Sequence, residues 1–116
     1  MSTLKRRTPL VRRPKAKGNR YEKVVRDQLR EAGYVNTKRN LQSGGQGGGD
    51  LIESIPGYSI ECKAQERLNI WKALEQAENA GKPTDTPLVI FKRNRSISYA
   101  CLPLEDFLAL VEAASL

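Results

Sequence analysis

Apolar side chains recur at three- and four-residue steps in three parts of the chain, which is the spacing of an amphipathic helix. The first pattern predicts a helix over residues 19–32 that ends at Gly33. The second predicts a helix over residues 69–80, in which we expect Trp71 to lie in the core rather than to stack on a nucleic-acid base. A third helix is expected near residues 104–114.

Shorter apolar runs between these patterns predict strands. Two of the runs are joined by Pro56-Gly57, which indicates a hairpin with a two-residue turn. The alternation of helices and strands indicates one α/β domain with a central mixed sheet flanked by helices. The predicted strands cover residues 34–39, 50–55, 58–63, 88–92 and 97–102.

Charge is distributed unevenly along the 116 residues. Eight of the 20 basic side chains lie in residues 1–20, which contain no acid. We predict a flexible basic arm over residues 1–18 and a single folded domain over residues 19–116, which is an ordinary domain size. Clustered lysine and arginine favour a polyanionic partner, and the alternative is a solvated tail that only aids solubility.

Composition excludes several kinds of chemistry. The chain has no histidine, which rules out Ser-His and Cys-His catalysis and His-ligated metal sites. Cys62 and Cys101 lie in strand-like runs without the spacing of a zinc site, so we expect buried thiols. The apolar runs are too short to cross a bilayer and no secretory signal pattern is present, so we expect a cytoplasmic location. Hydrolysis would then have to rest on carboxylates, lysine and a hard metal ion.

The candidate chemistry concentrates on the predicted hairpin. Glu61 and Lys63 are two residues apart and project from the same face of their strand. A two-residue turn would place Asp50 opposite Lys63, so two carboxylates and one ammonium would share a small area. Carboxylates tolerate such closeness when a divalent cation lies between them, and oxygen ligands favour Mg²⁺ or Mn²⁺. The alternative is a pair of exposed strand acids neutralised by Lys63.

A glycine-rich segment leads into Asp50, since five of residues 43–49 are glycine. Glycine lets a backbone approach a phosphate closely. No Gly-Lys-Ser/Thr sequence follows, so the segment is not a nucleotide-binding P-loop, and a merely flexible connector is the competing interpretation.

Several short motifs follow one another in order between residues 15 and 102. They are Lys17-Gly18-Asn19-Arg20-Tyr21-Glu22, Asp50-Leu51-Ile52, Glu61-Cys62-Lys63 and Pro87-Leu88-Val89-Ile90-Phe91-Lys92. This ordered set resembles the PD-(D/E)xK nuclease superfamily and, within it, the small Holliday junction resolvases of archaeal and phage type. Gly49 stands where the superfamily has its proline.

The resemblance implies a restriction-endonuclease-like core that hydrolyses DNA in a prokaryotic or phage setting. Asp50 and Glu61 would bind Mg²⁺, for which Mn²⁺ can substitute, with the backbone carbonyl of Cys62 as a further ligand. Lys63 would orient or activate the attacking water, and Glu22 would complete the metal shell directly or through water. The competing interpretation of Glu22 is a surface ion pair with Arg26, four residues on.

The resemblance also implies cleavage at four-way (Holliday) DNA junctions by a homodimer. Within the same fold, the alternative is a nuclease that cuts branched, nicked or sequence-defined duplex DNA. The alternative of another class is a non-catalytic DNA-binding protein. Gln76 is a further candidate, because superfamily members often carry a glutamine on the second helix. The candidate DNA-binding residues are Arg12, Arg13, Lys15, Lys17, Arg20, Lys23, Lys38, Arg39 and Ser43.

Overall fold

The computed structural model describes residues 14–42 and 47–115 and contains one five-stranded mixed sheet with helices packed on it. The strands are adjacent in chain order, and only the third and fourth run parallel. This confirms the predicted α/β class with a central mixed sheet flanked by helices. The elements are α1 (Pro14–Glu31), β1 (Lys38–Arg39), β2 (Leu51–Ile52), β3 (Tyr58–Ala64), α2 (Ile70–Ala80), β4 (Thr86–Lys92), β5 (Tyr99–Cys101) and α3 (Leu104–Ala114).

Each face of the sheet has its own apolar core. On one face, Val25 of α1 packs in a cluster with Ile60 of β3. On the other face, Ala73 and Ala77 of α2 pack with Val89 of β4. Since β3 and β4 are parallel, the chain needs a crossover between them, and α2 supplies it. The two cores therefore fix β3, the strand that carries Glu61, between two helices.

α1 begins at Pro14, five residues before the predicted start of this helix. Residues 1–13 of the predicted arm lie outside the described residues. Proline is favoured in the first turn of a helix because its φ is preset and its missing N–H group would have no partner there. Gly18 does not stop the helix, since one interior glycine costs only about 1 kcal/mol. The end of α1 is as predicted: Gly33 has a φ of +116°, and the backbone N–H of Tyr34 donates to the carbonyl of Leu29 at 2.9 Å.

Three of the predicted strands are shorter in the structure, and in the first two of them side chains and turns replace pairing with a neighbouring strand. Residues 34–37 form a turn instead of a strand, in which the buried hydroxyl of Thr37 donates to the carbonyl of Tyr34 at 2.7 Å. β2 stops at Ile52 because Glu53 adopts a left-handed backbone with a φ of +53°. β3 and β4 contain the whole of the strands predicted over residues 58–63 and 88–92, whereas β5 is shorter than the strand predicted over residues 97–102.

The prediction that Trp71 belongs to the core is wrong, since 79% of this residue is exposed. Successive helical residues lie about 100° apart, so Trp71 falls outside the stripe that Ile70 begins. Ala73 and Ala77 form the buried stripe instead, and their small side chains let α2 lie close to the sheet. The start and end of α2 agree with the predicted helix over residues 69–80, with Asn69 as its N-cap.

α3 starts after Pro103 as predicted, and none of its described side chains is buried. Both cysteines are free thiols: Cys62 is buried, as expected, whereas Cys101 is partly exposed. Among the helices of the described residues, none has the length and apolar character needed to cross a membrane.

Candidate active site

Asp50, Glu61 and Lys63 meet where β2 joins β3. The backbone N–H of Asp50 donates to the carbonyl of Ile60 at 2.7 Å. Its carboxylate Oδ2 accepts a hydrogen bond of 2.8 Å from the backbone N–H of Cys62, so β3 holds Asp50 at two points. Glu61 is buried in the middle of β3, and Lys63 Nζ lies 4.0 Å from Glu61 Oε1. The three residues singled out from the hairpin are therefore neighbours.

The pairing of β2 with β3 differs from the predicted hairpin. Leu51 pairs with Ile60, two residues from the partner that a two-residue turn would give it. The connection covers residues 53–57 and contains two left-handed backbones, which makes the turn wider than predicted. A shift of two residues keeps every side chain on its face of the sheet. It places Asp50 beside Glu61 rather than opposite the lysine, which corrects the predicted arrangement.

Gly49 fixes the distance between the chain before β2 and β3. A Cβ atom on this residue would lie 2.1 Å from the carbonyl oxygen of Ile60. The closest atoms all belong to the backbone of Ile60, which cannot rotate away as a side chain could. A proline, which the superfamily that the sequence resembles has at this position, would meet the same obstacle, so in this chain the glycine is what lets Asp50 reach β3.

We expect Gly49→Ala to lower the free energy of unfolding by about 2–3 kcal/mol and to displace Asp50, because backbone must move to admit the new methyl group. Urea unfolding measures the loss. Gly18→Ala is the matched control: its Cβ meets no atom within 4 Å in a helix interior, so it should gain about 0.5–1 kcal/mol. A Gly49→Ala protein as stable as the wild type would show that the close approach is not a constraint.

Glu22 reaches the same site from α1. Its Oε1 accepts a hydrogen bond from Arg39 Nε at 3.1 Å, and both side chains are largely shielded from solvent. The ion pair with Arg26 is not formed, since Arg26 pairs with Asp27 at 2.9 Å. Arg39, expected to contact DNA, therefore holds Glu22 through at least one of its nitrogens. A partly buried pair between α1 and β1 of this kind positions Glu22 more firmly than a surface pair would.

Burial raises the pKa of each of the three carboxyl groups. The pKa of Glu61 is raised to about 7, first by burial and then by the charge of Asp50, with Lys63 acting in the opposite direction. Burial also raises the pKa of Asp50, against the N–H group of Cys62 and the charge of Lys63. The pKa of Glu22 is raised by burial and by Asp50, against Arg39. Lys63 and Arg39 therefore do not offset the cost of burying the negative charge of these three carboxyl groups.

The donor set of this site suits a hard divalent cation. Asp50 and Glu61 offer carboxylate oxygens whose repulsion a cation would relieve. Burial raises the pKa of the Cys62 thiol, so the thiol stays protonated and offers no soft ligand. Over residues 14–42 and 47–115, no group of three or more His, Cys, Asp or Glu side chains is arranged to hold a metal. A metal would therefore need ligands beyond two carboxylates, such as water or the predicted backbone carbonyl of Cys62.

The raised pKa of Glu61 predicts that stability depends on pH when no metal is supplied. Its pKa is about 7 in the folded protein against an ordinary value of 4.5, so its stabilising contribution is complete below pH 4.5 and is lost as the pH rises through about 7. In chelator, the free energy of unfolding should fall across this window by on the order of 3 kcal/mol relative to Glu61→Gln, which has no charge to gain. Urea unfolding at several pH values gives both curves. If the two proteins showed the same pH dependence, the buried charge of Glu61 would not be a cost.

The predicted DNA-binding residues fall into three groups. Lys17, Arg20 and Lys23 lie along α1, where Lys17 Nζ donates to Asn94 Oδ1 at 2.8 Å. Lys38 and Arg39 form β1, where neighbouring side chains point to opposite faces of the strand. Arg39 holds Glu22 on one face, and Lys38 forms an exposed ion pair of 2.7 Å with Glu53 on the other. Arg12, Arg13 and Ser43, together with the side chain of Lys15, lie outside the described residues.

Sequence reasoning missed three further cations near the site, which are Lys72, Lys92 and Arg93. Gln76, a predicted candidate, lines a depression of about 260 Å³ that also contains Lys63 and Lys72. Lys92 and Arg93 lie at the carboxyl end of β4, next to the carboxyl end of β3. Only the parallel pairing of β3 with β4 brings these ends together, and residue spacing alone does not reveal it.

The same chain was compared with known proteins. Residues 13–115 match the model of a family described as "Phage putative PDDEXK endonuclease". The matched stretch contains every element of the sheet and Glu22, Asp50, Glu61 and Lys63. No curated protein and no solved structure matches the chain.

Proposed function

The chain belongs to the phage PDDEXK endonuclease family, and from that premise we propose that it hydrolyses DNA phosphodiester bonds with a divalent metal ion at Asp50 and Glu61. Membership agrees with the PD-(D/E)xK resemblance at the level of the superfamily. The observation that carries the proposal is the adjacent carboxylates of the buried Glu61 and the partly buried Asp50 beside Lys63, with the pKa of Glu61 raised to about 7. A buried charge of this kind is costly to stability, which is typical of a functional site.

The metal ion in this proposal is Mg²⁺, with Mn²⁺ as a substitute, because the available donors are hard oxygens. Asp50 and Glu61 would hold it, with the backbone carbonyl of Cys62 as a further ligand. A bound ion of this type supplies a Lewis acid for the phosphoryl oxygens and a more acidic water.

The chain's own residues have separate roles in the proposal. Lys63 orients the attacking water and offsets negative charge on the phosphorane-like transition state from a position 4.0 Å from Glu61. The Cys62 N–H group keeps the carboxylate of Asp50 turned toward β3. Glu22, held by Arg39, would complete the metal shell directly or through water. The buried arrangement keeps these groups fixed before DNA binds.

We propose four-way DNA junctions as the substrate and a homodimer as the active form. The ordered motifs that resemble junction resolvases support the substrate, and two coordinated cuts across a junction need two sites. The dimer has further support in α3, whose exposed apolar residues Leu104, Phe107, Leu108 and Val111 follow helical spacing, since monomers rarely leave such a stripe uncovered. We place the reaction in the cytoplasm of a prokaryotic cell.

The experiment that tests this function incubates the protein with a synthetic four-way junction and a linear duplex of the same sequence, with Mg²⁺ or with chelator. We expect Mg²⁺-dependent cleavage that is faster on the junction. Equal cleavage of both substrates would replace junction specificity by a nuclease for other DNA. Binding without cleavage of either DNA in Mg²⁺ or Mn²⁺ would favour the non-catalytic DNA-binding alternative.

A further inference from the structure

Three depressions at the carboxyl ends of β3 and β4 join into one path, which we name the carboxyl-end track. The first, about 260 Å³, contains Lys63 and Gln65. The second, about 330 Å³, shares Gln65 with the first and adds Lys92 and Arg93. The third, about 430 Å³, shares Lys92 and Arg93 with the second and reaches Lys17 on α1. The three depressions therefore lie next to one another, in a row that leads from the candidate catalytic lysine to the first helix.

The lining of the track is strongly cationic. Its described cations are Lys17, Arg20, Lys63, Lys72, Lys92 and Arg93. The one carboxylate in the lining of these three depressions, Glu66, accepts a hydrogen bond from the backbone N–H of Asn94 and so is already engaged. Several cations along one path suit a chain of phosphates better than a single small anion.

The track also presents aromatic and apolar surface between the cations. Tyr99 lines the second depression beside Phe91, and 54% of Tyr99 is exposed. Ile97, which lines the third depression, is 71% exposed. An exposed aromatic ring among cations suits single-stranded nucleic acid, because a base stacks on the ring while phosphates meet the charges.

The walls of the track are already fixed where the β4–β5 connection meets α1. Tyr21 Oη and Ser98 Oγ form a hydrogen bond of 2.7 Å, and Lys17 Nζ donates to Asn94 Oδ1 at 2.8 Å. Backbone and hydroxyl bonds between Arg93 and Ser96 close the connection itself. A ligand would therefore meet a preformed path and would not have to order a loop.

The track bends around the carboxyl ends of β3 and β4, from one face of the sheet to the other. Lys63 lies in register with Phe91, which packs with the α2 core, whereas the third depression contains Tyr21 and Val24 of α1 on the other face. The whole described molecule is only about 28–29 Å across in its two shorter dimensions. Duplex DNA stays nearly straight over such lengths, since its persistence length is about 50 nm. A single strand can follow the bend.

We propose that the carboxyl-end track binds a segment of single-stranded DNA, so that the nuclease also takes branched DNA with an unpaired strand next to the scissile phosphate, such as a flap, in addition to the four-way junctions proposed above. The proposal deepens the nuclease function proposed above and rests on it for the link to cleavage. Binding of a single strand by the track does not require that function. Lys92, Arg93 and Tyr99 thereby become substrate-binding residues.

The test measures binding of a labelled single-stranded oligonucleotide of about 16 nucleotides, the upper site size of single-strand-binding folds, by fluorescence anisotropy in chelator. Arg93→Glu is compared with Lys82→Glu, a charge reversal on the amino-terminal side of β4, away from the track. We expect Arg93→Glu to weaken binding at least about fivefold near 0.1 M salt and to reduce the salt slope by about 0.7. Lys82→Glu should change binding less than twofold.

A second pair of variants tests the stacking surface without changing charge. Tyr99→Ala should weaken single-strand binding at least about fivefold, whereas Trp71→Ala, which removes an exposed aromatic residue that lines none of the three depressions, should not. Binding of a duplex of the same length should change less than twofold for all four variants. Thermal unfolding confirms that each variant is folded.

The proposal is overturned if Arg93→Glu and Lys82→Glu have equal effects, or if both track variants weaken duplex and single strand alike. Cleavage by the wild type, Arg93→Glu and Tyr99→Ala is measured separately in Mg²⁺ on a duplex with a single-stranded tail. Track-dependent binding without any cleavage would contradict the nuclease function and leave the track intact. Cleavage at the same rate by the wild type and both track variants would contradict the role of the track and leave the nuclease function intact.

Discussion

Asp50→Asn and Glu61→Gln should each abolish metal-dependent DNA cleavage while leaving DNA binding unchanged or tighter. Each substitution keeps the size of the side chain and removes one negative charge from the pair that would hold the metal. We expect turnover to fall about 10³-fold or more, since the lost group acts directly on the transition-state charge. Binding should tighten because a negative charge next to the phosphate is gone. Single-turnover cleavage and anisotropy measure the two effects.

Two controls separate this effect from a general disturbance. Glu75→Gln changes an exposed acid on α2 and should leave cleavage unchanged. Glu61→Gln should be at least as stable as the wild type above pH 7, because the ionised Glu61 carboxylate is disfavoured by burial in the folded protein. A loss of activity in Glu61→Gln therefore cannot be assigned to unfolding. Near-normal turnover by either Asp50→Asn or Glu61→Gln would remove the proposed site.

Lys63→Ala should reduce the cleavage rate by about 10²–10³-fold, the usual loss when one electrostatic stabiliser is removed. Lys63 opposes the rise in the pKa of Glu61, so its removal also makes the neighbouring carboxylate harder to ionise. Lys82→Ala is the matched control, since Lys82 is exposed and lies in the connection before β4. Rates measured at saturating DNA isolate the chemical step from binding. Equal rates for Lys63→Ala and Lys82→Ala would show that Lys63 has no catalytic part.

The sequence predicted those parts of the fold that local patterns determine. β3 and α2 follow from continuous apolar runs and helical spacing, and Gly33 ends α1 with the backbone conformation that glycine favours. The start of α1 was missed because Gly18 and the dense basic charge suggest an irregular arm, whereas Pro14 opens the helix at a position that suits proline.

The sequence predicts which residues form the candidate site, but not the register of Asp50 or the partner of Glu22. The face shared by Glu61 and Lys63 follows from strand alternation alone. The register of Asp50 depends on the wide connection between β2 and β3, with Glu53 at a φ of +53°, which no local pattern favours. The bond between Glu22 and Arg39 joins residues 17 positions apart and depends on how α1 packs, so sequence spacing pointed to Arg26 instead.

The measurement that tests the central claim most directly is single-turnover cleavage of branched DNA by the wild type and by Glu61→Gln, at equal and saturating protein, with Mg²⁺ or with chelator. The account predicts cleavage by the wild type in Mg²⁺ alone, and no cleavage by Glu61→Gln in either condition although it binds the same DNA. Cleavage by Glu61→Gln at the wild-type rate, or wild-type cleavage that persists in excess chelator, would contradict a metal-dependent nuclease built on Asp50 and Glu61.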